Sequence, residues 1–179
     1  MLKTLPGRAI SIALLSLLLS ACGFTLRSDY HLPDNIHQVQ LVSGQAHSLL
    51  QRALSKRLKA YQIKVLAGQQ QVGADIALDD GKTIGVYLLP DKLDRRLLSL
   101  FSTGQVAEYE LIYSVRCQLL LPGQAPQLIE FDVNREYQDD PDAVLAKSRE
   151  LELVLNEMRL QAADLIIRHM ARLQALQTN

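Results

Sequence analysis

The sequence predicts an α+β domain in which two helices pack on one face of a small mixed, mainly antiparallel sheet, in the order β-α-β-β-β-α. Residues 109–121 and 127–137 alternate between apolar and polar side chains, which is typical of half-exposed antiparallel strands. Residues 46–61 place apolar side chains at helical spacing. Residues 141–176 keep a helical stripe over about 54 Å, at 1.5 Å per residue.

The N-terminus predicts a lipoprotein signal peptide. An uncharged apolar run at 9–21 ends in Leu-Ser-Ala-Cys, and it is too short to span a bilayer core of about 30 Å. The ending resembles the bacterial lipobox, in which the thiol of Cys22 is acylated and the chain is cut before it. We expect a signal peptide at 1–21, a lipidated tether at 22–35 and one domain at 36–179. The alternatives are an ordinary signal peptide with an incidental cysteine and an uncleaved membrane helix.

The residue after the cysteine and the charge balance narrow the class of protein. Gly23 stands where an aspartate commonly retains Gram-negative lipoproteins in the inner membrane, so we expect the outer membrane. Without Lys3 and Arg8, 17 basic face 19 acidic residues, which does not suggest a nucleic-acid-binding protein. Cys117 is the other cysteine, and we expect it to be a small buried apolar residue without a disulfide.

The middle of the chain gives weaker signals. Residues 36–42 predict the first strand, ahead of the helix at 46–61. Residues 74–80 and 83–89 predict further strand segments, whereas residues 92–101 fit a helical turn and a strand equally well.

The last helix has a clear start signal in the sequence. Asp140 precedes Pro141, which predicts an N-cap followed by proline at the first helical position. Asp142 adds an acidic side chain to the first turn, where the helix dipole favours it.

The sequence does not indicate an enzyme. "GKT" at 81–83 lacks the first glycine of a phosphate-binding loop, because Ile76 occupies that position. Neither a zinc-ligand spacing nor a Gly-x-Ser-x-Gly motif occurs, and His169 fits a packed residue on a helical stripe. We therefore expect no catalytic residues, metal or cofactor.

Three clusters of basic side chains stand out. A solvated surface explains each of them, and recognition of a phosphorylated or acidic lipid headgroup is the alternative. The clusters are Arg52, Lys56 and Lys59 on one face of the first helix, then Lys92, Arg95 and Arg96, and finally Lys147 and Arg149.

Four short motifs occur in a recognisable order: "ACGFTLR" (21–27), "GQVAEYELIYSV" (104–115), "LPG" (121–123) and "REYQDDPDAVLAK" (135–147). Together they resemble the LptE family of RlpB-like outer-membrane lipoproteins, which assemble lipopolysaccharide. Asp140 replaces the asparagine of the family's last motif, and residues 62–100 match loosely.

The resemblance implies a fold, a partner and a ligand. Such proteins fold as two helices on a small sheet and act as one-to-one plugs of the LptD β-barrel. They support its assembly and the delivery of lipopolysaccharide to the outer leaflet, and an N-terminal lipid such as palmitate anchors them. Lys147 matches a basic residue implicated in lipopolysaccharide contact, whereas Ser102 stands where a second is expected, so Arg95 or Arg96 would substitute. The rival hypothesis is a free periplasmic lipoprotein that carries lipid or binds cell wall.

Overall fold

The computed structural model describes residues 37–67 and 83–175. The predicted signal peptide, the tether and the strand segment at 74–80 lie outside these residues. The described elements follow the order β1 (Gln38–Ser43), α1 (Leu49–Ala60), β2 (Lys64–Ala67), β3 (Thr83–Leu88), β4 (Lys92–Leu100), β5 (Val106–Leu120), β6 (Gln127–Gln138) and α2 (Val144–Ala175).

The described strands form one mixed sheet around β5. Strands β2, β1 and β3 are mutually parallel, and β3 then pairs antiparallel with the end of β5. Strand β4 pairs with the first part of the same β5 edge, while β6 follows the opposite edge over almost its whole length. At the bend between β3 and β4, the Leu89 N–H donates to the Arg116 carbonyl at 3.0 Å. The two strands therefore act as one bent strand alongside β5.

Both helices cover the same face of this sheet, which confirms the predicted fold class. Helix α1 packs on β1 and β2, and α2 packs on β5, β6 and α1. The apolar face predicted for residues 109–121 is the core face of the sheet. Its fully buried side chains include Leu111, Val115 and Leu119, and they share the core with Leu54 of α1 and Ile166 of α2.

The structure decides one open alternative and corrects one prediction. Residues 92–100 are a strand, because backbone pairing with β5 supplies the hydrogen bonds that a helical turn would have made locally. The last helix begins at Val144 and not at Pro141. The Asp140 carbonyl accepts from the Ala143 N–H at 3.2 Å, so a turn at 141–143 precedes the helix. The Lys147 N–H then donates to the Ala143 carbonyl at 2.9 Å, the first helical bond.

Cys117 and His169 are packed residues, as the sequence predicts. Cys117 is fully buried in the core, and burial raises the pKa of its thiol to about 12. The His169 ring stacks on Phe131 with ring centroids 6.0 Å apart. Burial, together with the charges of Arg172 and Arg168, lowers the pKa of His169.

Candidate functional site

The turn between β4 and β5 closes one end of the domain. The Phe101 N–H donates to the Gln105 carbonyl at 2.8 Å, and Gly104 takes a φ of +83°, a conformation that favours glycine. The end of β6 lies beside this turn, because the Asp139 N–H donates to the Ala107 carbonyl at 2.9 Å. The start of α2 therefore comes next to the turn that the "GQ-x-AEY" motif forms.

Two pockets open where this turn, the end of β6 and the start of α2 meet. One has a volume of about 500 Å³ and is lined by Phe101 and Ser102 of the turn. The other has a volume of about 220 Å³ and is lined by Arg95 and Tyr137. Lys147 lines both pockets, and so do Asp139 and Asp140, which follow the end of β6. We take this end of the domain as the candidate functional site.

Lys147 is held in place at the first turn of α2. Its Nζ lies 2.9 Å from Glu150 Oε2 and 5.4 Å from the centroid of the Tyr137 ring. The Tyr137 hydroxyl donates to the Lys147 carbonyl at 2.7 Å, which fixes the start of the helix on β6. The hydrogen bond that the Lys147 ammonium donates to Glu150 raises the pKa of Lys147, so the ammonium stays charged at neutral pH.

Tyr137 is the residue of this site that the sequence did not identify as functional. Burial is the main cause of its raised pKa, so the phenol stays protonated and keeps donating. The sequence does contain a signal for its position, because the alternation of residues 127–137 places Tyr137 on the apolar face of the strand, which packs against the helices. Its pairing with Lys147 depended on where α2 begins.

Three carboxylates surround the same helix start. Asp139 Oδ1 accepts from the Asp140 N–H at 2.9 Å, and Asp140 Oδ1 accepts from the Asp142 N–H at 3.0 Å. Two of the carboxylates are thus used to order the turn ahead of α2. An anion at Lys147 has to approach past them, so a second cation is needed for net attraction.

The structure separates the two arginines predicted on β4. Arg95 lies opposite Leu111 on the helix-facing side of the sheet and lines the smaller pocket with Lys147. Arg96 lies opposite Glu110 on the other side and forms an ion pair with it. Of the three residues predicted to contact lipopolysaccharide, Arg95 and Lys147 therefore share one pocket, whereas Arg96 faces away from it.

The carboxylate pair Glu108 and Glu110 has partners on the flanking strands. Glu110 also accepts from Asn134 Nδ2 at 3.2 Å, and Glu108 accepts from Ser99 Oγ at 2.9 Å. These bonds tie β4, β5 and β6 together on the face away from the helices. Across the residues that the structure describes, no group of three His, Cys, Asp or Glu side chains could hold a metal ion.

An exposed apolar strip runs along β4 toward the candidate site. It consists of Leu97, Leu98, Leu100 and Phe101, whose side chains are between 43% and 54% exposed. Strand β4 is an edge strand of the described sheet, and its pairing with β5 is irregular between Leu97 and Leu100. Several exposed apolar side chains close together on an edge strand are typical of interaction sites. In the described part of the chain, no helix is both long and apolar enough to cross a membrane.

Comparison with known proteins gives a consistent result. The sequence model of the LptE family, described as "Lipopolysaccharide-assembly", matches residues 35–170. The "LPS-assembly lipoprotein LptE" of Pectobacterium atrosepticum is 29% identical over 168 residues, covering 93% of this chain and 85% of that protein. The protein of the same name from Yersinia enterocolitica is 27% identical over 173 residues, covering 94% of this chain and 79% of that protein.

Solved structures share the fold. The rare lipoprotein B of Shewanella oneidensis superposes with a TM-score of 0.66 at 37% identity, covering 79% of this chain and 99% of that chain. A lipoprotein B of Nitrosomonas europaea gives a TM-score of 0.62 at 23% identity, covering 86% of this chain and 93% of that chain. The second likeness concerns the fold alone.

Proposed function

This chain belongs to the LptE family, and we propose that it is an outer-membrane lipoprotein that plugs an LptD-type β-barrel and supports its assembly. The observation that carries the proposal is the family match, which extends over residues 35–170 and so includes α1, the described sheet and most of α2. The relatives named above are lipopolysaccharide-assembly lipoproteins, which supports the same role here. The protein has no catalytic step in this proposal.

The surface of the domain fits such a role. A barrel lumen is polar, and the face of the sheet away from the helices carries polar side chains, among them Glu108, Glu110 and Arg96. The apolar strip on β4 adds a surface that a partner would cover. Acylated Cys22 would anchor the domain at the inner leaflet, and the tether at 22–35 would allow it to reach the barrel.

The proposed function predicts a one-to-one complex with a large outer-membrane β-barrel. We expect affinity-tagged protein to co-purify that barrel in equal amounts, and depletion to lower the level of correctly assembled barrel. The measurements are the stoichiometry of the purified complex and the amount of folded barrel in outer membranes. Normal barrel assembly in depleted cells would favour a free periplasmic lipoprotein instead.

We also propose that the pocket shared by Arg95 and Lys147 contacts lipopolysaccharide during its transport. Two cations of one pocket can pair with phosphate groups, and the N-terminal end of α2 adds a favourable partial charge. Lys147 is already oriented by Glu150 and Tyr137, so little side-chain freedom is lost on binding. Arg95 supplies the second charge that the nearby carboxylates make necessary.

Replacement of Lys147 with aspartate is expected to weaken lipopolysaccharide binding by about five- to tenfold, the contribution of one charged contact of roughly 1 kcal/mol. Binding of purified protein should be measured at low and moderate salt, because exposed contacts are screened. Arg149→Asp is the matched control, since Arg149 is exposed two residues further along α2 and outside the pocket lining. Equal losses in both variants would show that only overall charge matters.

A further inference from the structure

A further groove lies away from these two pockets, between α1 and the parallel strands β1 and β2. Its volume is about 530 Å³. Leu41 of β1 and Val65 of β2 supply its apolar lining. The remaining lining residues come from α1, and they are Gln51, Arg52, Ser55, Lys56 and Lys59. It shares no lining residue with the pockets around Lys147.

The charge in this groove is of one sign. Helix α1 contains four basic residues and no acidic one. Arg57 forms an ion pair with Asp164 of α2 at 2.9 Å and helps to join the helices. The other three basic side chains are exposed and line the groove, and none of the lining residues is acidic.

This arrangement costs helix stability. Arg52 and Lys56 are four residues apart and Lys56 and Lys59 three, so like charges adjoin along one face. Arg52 also lies near the N-terminus of α1, where the helix dipole disfavours a cation. A bound anion would relieve both effects. The apolar lining below the cations indicates a ligand that carries hydrocarbon next to its negative charge.

We propose that this groove binds the headgroup of an anionic phospholipid. The phosphate would lie between Arg52, Lys56 and Lys59, which are spaced about 6 Å and 4.5 Å apart along the helix axis. Lysine and arginine both pair with phosphate at such distances through their flexible side chains. The first acyl carbons would contact Val65, which is half-buried, whereas Leu41 is almost fully buried. This proposal is independent of barrel binding and of the Lys147 pocket.

The test is a titration of the full chain in maltoside micelles, which carry neither charge nor phosphate. The probe is lysophosphatidylglycerol, and its binding is measured from NMR shifts of the α1 and β2 backbone amides. Arg52→Gln/Lys56→Gln/Lys59→Gln is expected to weaken binding on the order of 100-fold, since each basic contact with anionic lipid contributes about fivefold. Ser55→Glu places one carboxylate among the three cations, and glutamate is well accepted in helices, so this single added charge is expected to weaken binding about fivefold.

The matched control is Lys64→Gln/Arg116→Gln/Arg172→Gln, which removes three exposed cations outside the groove lining. It is expected to bind the probe like the wild type. An equal loss in the control would overturn the proposal, because general charge attraction would then explain binding. Equal binding of lysophosphatidylcholine, which has no net charge, would overturn it too. Equal binding of glycerol 3-phosphate or of an acidic peptide would overturn the assignment to a lipid.

Discussion

Replacement of Cys22 with serine is expected to abolish acylation completely and to leave the 21-residue leader attached. The hydroxyl of serine cannot form the thioether on which lipoprotein processing depends. Each buried methylene contributes about 0.8 kcal/mol to membrane binding, so stable anchoring needs more than one acyl chain. Loss of every acyl chain at this position would therefore remove the lipid anchor proposed to hold the domain at the outer membrane.

Metabolic labelling with a fatty-acid analogue measures this result directly. Cys117→Ser serves as the control, because Cys117 is the other cysteine, lies fully buried in the core and has a thiol whose pKa burial raises to about 12. Label and leader cleavage should persist in that control. Label that remains in the Cys22 variant would contradict the assignment of residues 1–21 as a lipoprotein signal peptide.

The long strands were predictable because their signal is local. Side chains from Tyr109 to Leu121 alternate with period two, and the structure buries the apolar half of them under the helices. The same holds for α1, whose buried residues Leu50, Leu54 and Leu58 recur at a spacing of four. Since each pattern repeats along one element, the sequence alone identified the core face.

Strand β4 could not be assigned because its pattern does not alternate. The apolar strip places Leu97 and Leu98 next to each other, which fits neither a half-buried strand nor a short amphipathic helix better than the other. Pairing with β5 decides the conformation, and that pairing joins residues that are far apart in sequence. A single sequence does not show such long-range register.

The candidate site was predictable only in part for the same reason. The resemblance to LptE proteins identified Lys147, and the neighbouring Arg95 and Arg96 were equivalent until β4 was known to be a strand. Successive side chains of a strand point to opposite faces, so one of them joins Lys147 and the other pairs with Glu110. The contact of Lys147 with Tyr137 depends on the turn at 141–143. The sequence predicted a helix start at Pro141, so it did not predict this contact.

The apolar strip on β4 gives the second prediction with a large expected effect, which concerns binding of the barrel. Replacement of Leu98 and Leu100 with aspartate is expected to weaken co-purification of the barrel by at least about 30-fold, since buried interface anchors contribute about 2 kcal/mol or more. Both side chains are about half exposed, so the loss of their partner contacts should exceed any loss of packing within the domain. Two buried and unpaired carboxylates would add a desolvation cost in the complex.

The matched control is Leu128→Asp/Leu153→Asp, because these leucines are 59% and 65% exposed and lie on β6 and α2, apart from the strip. Substitutions at exposed positions usually change the free energy of unfolding by no more than about 0.5 kcal/mol each, so both double variants should keep a melting temperature close to that of the wild type. Isolated exposed leucines are common on protein surfaces, whereas four exposed apolar residues within five positions, at the end of an edge strand and the start of its turn, are not. The control is therefore expected to retain the barrel. If the strip variant also retains it, the partner contacts another surface, and the exposed apolar residues of β4 need a different explanation.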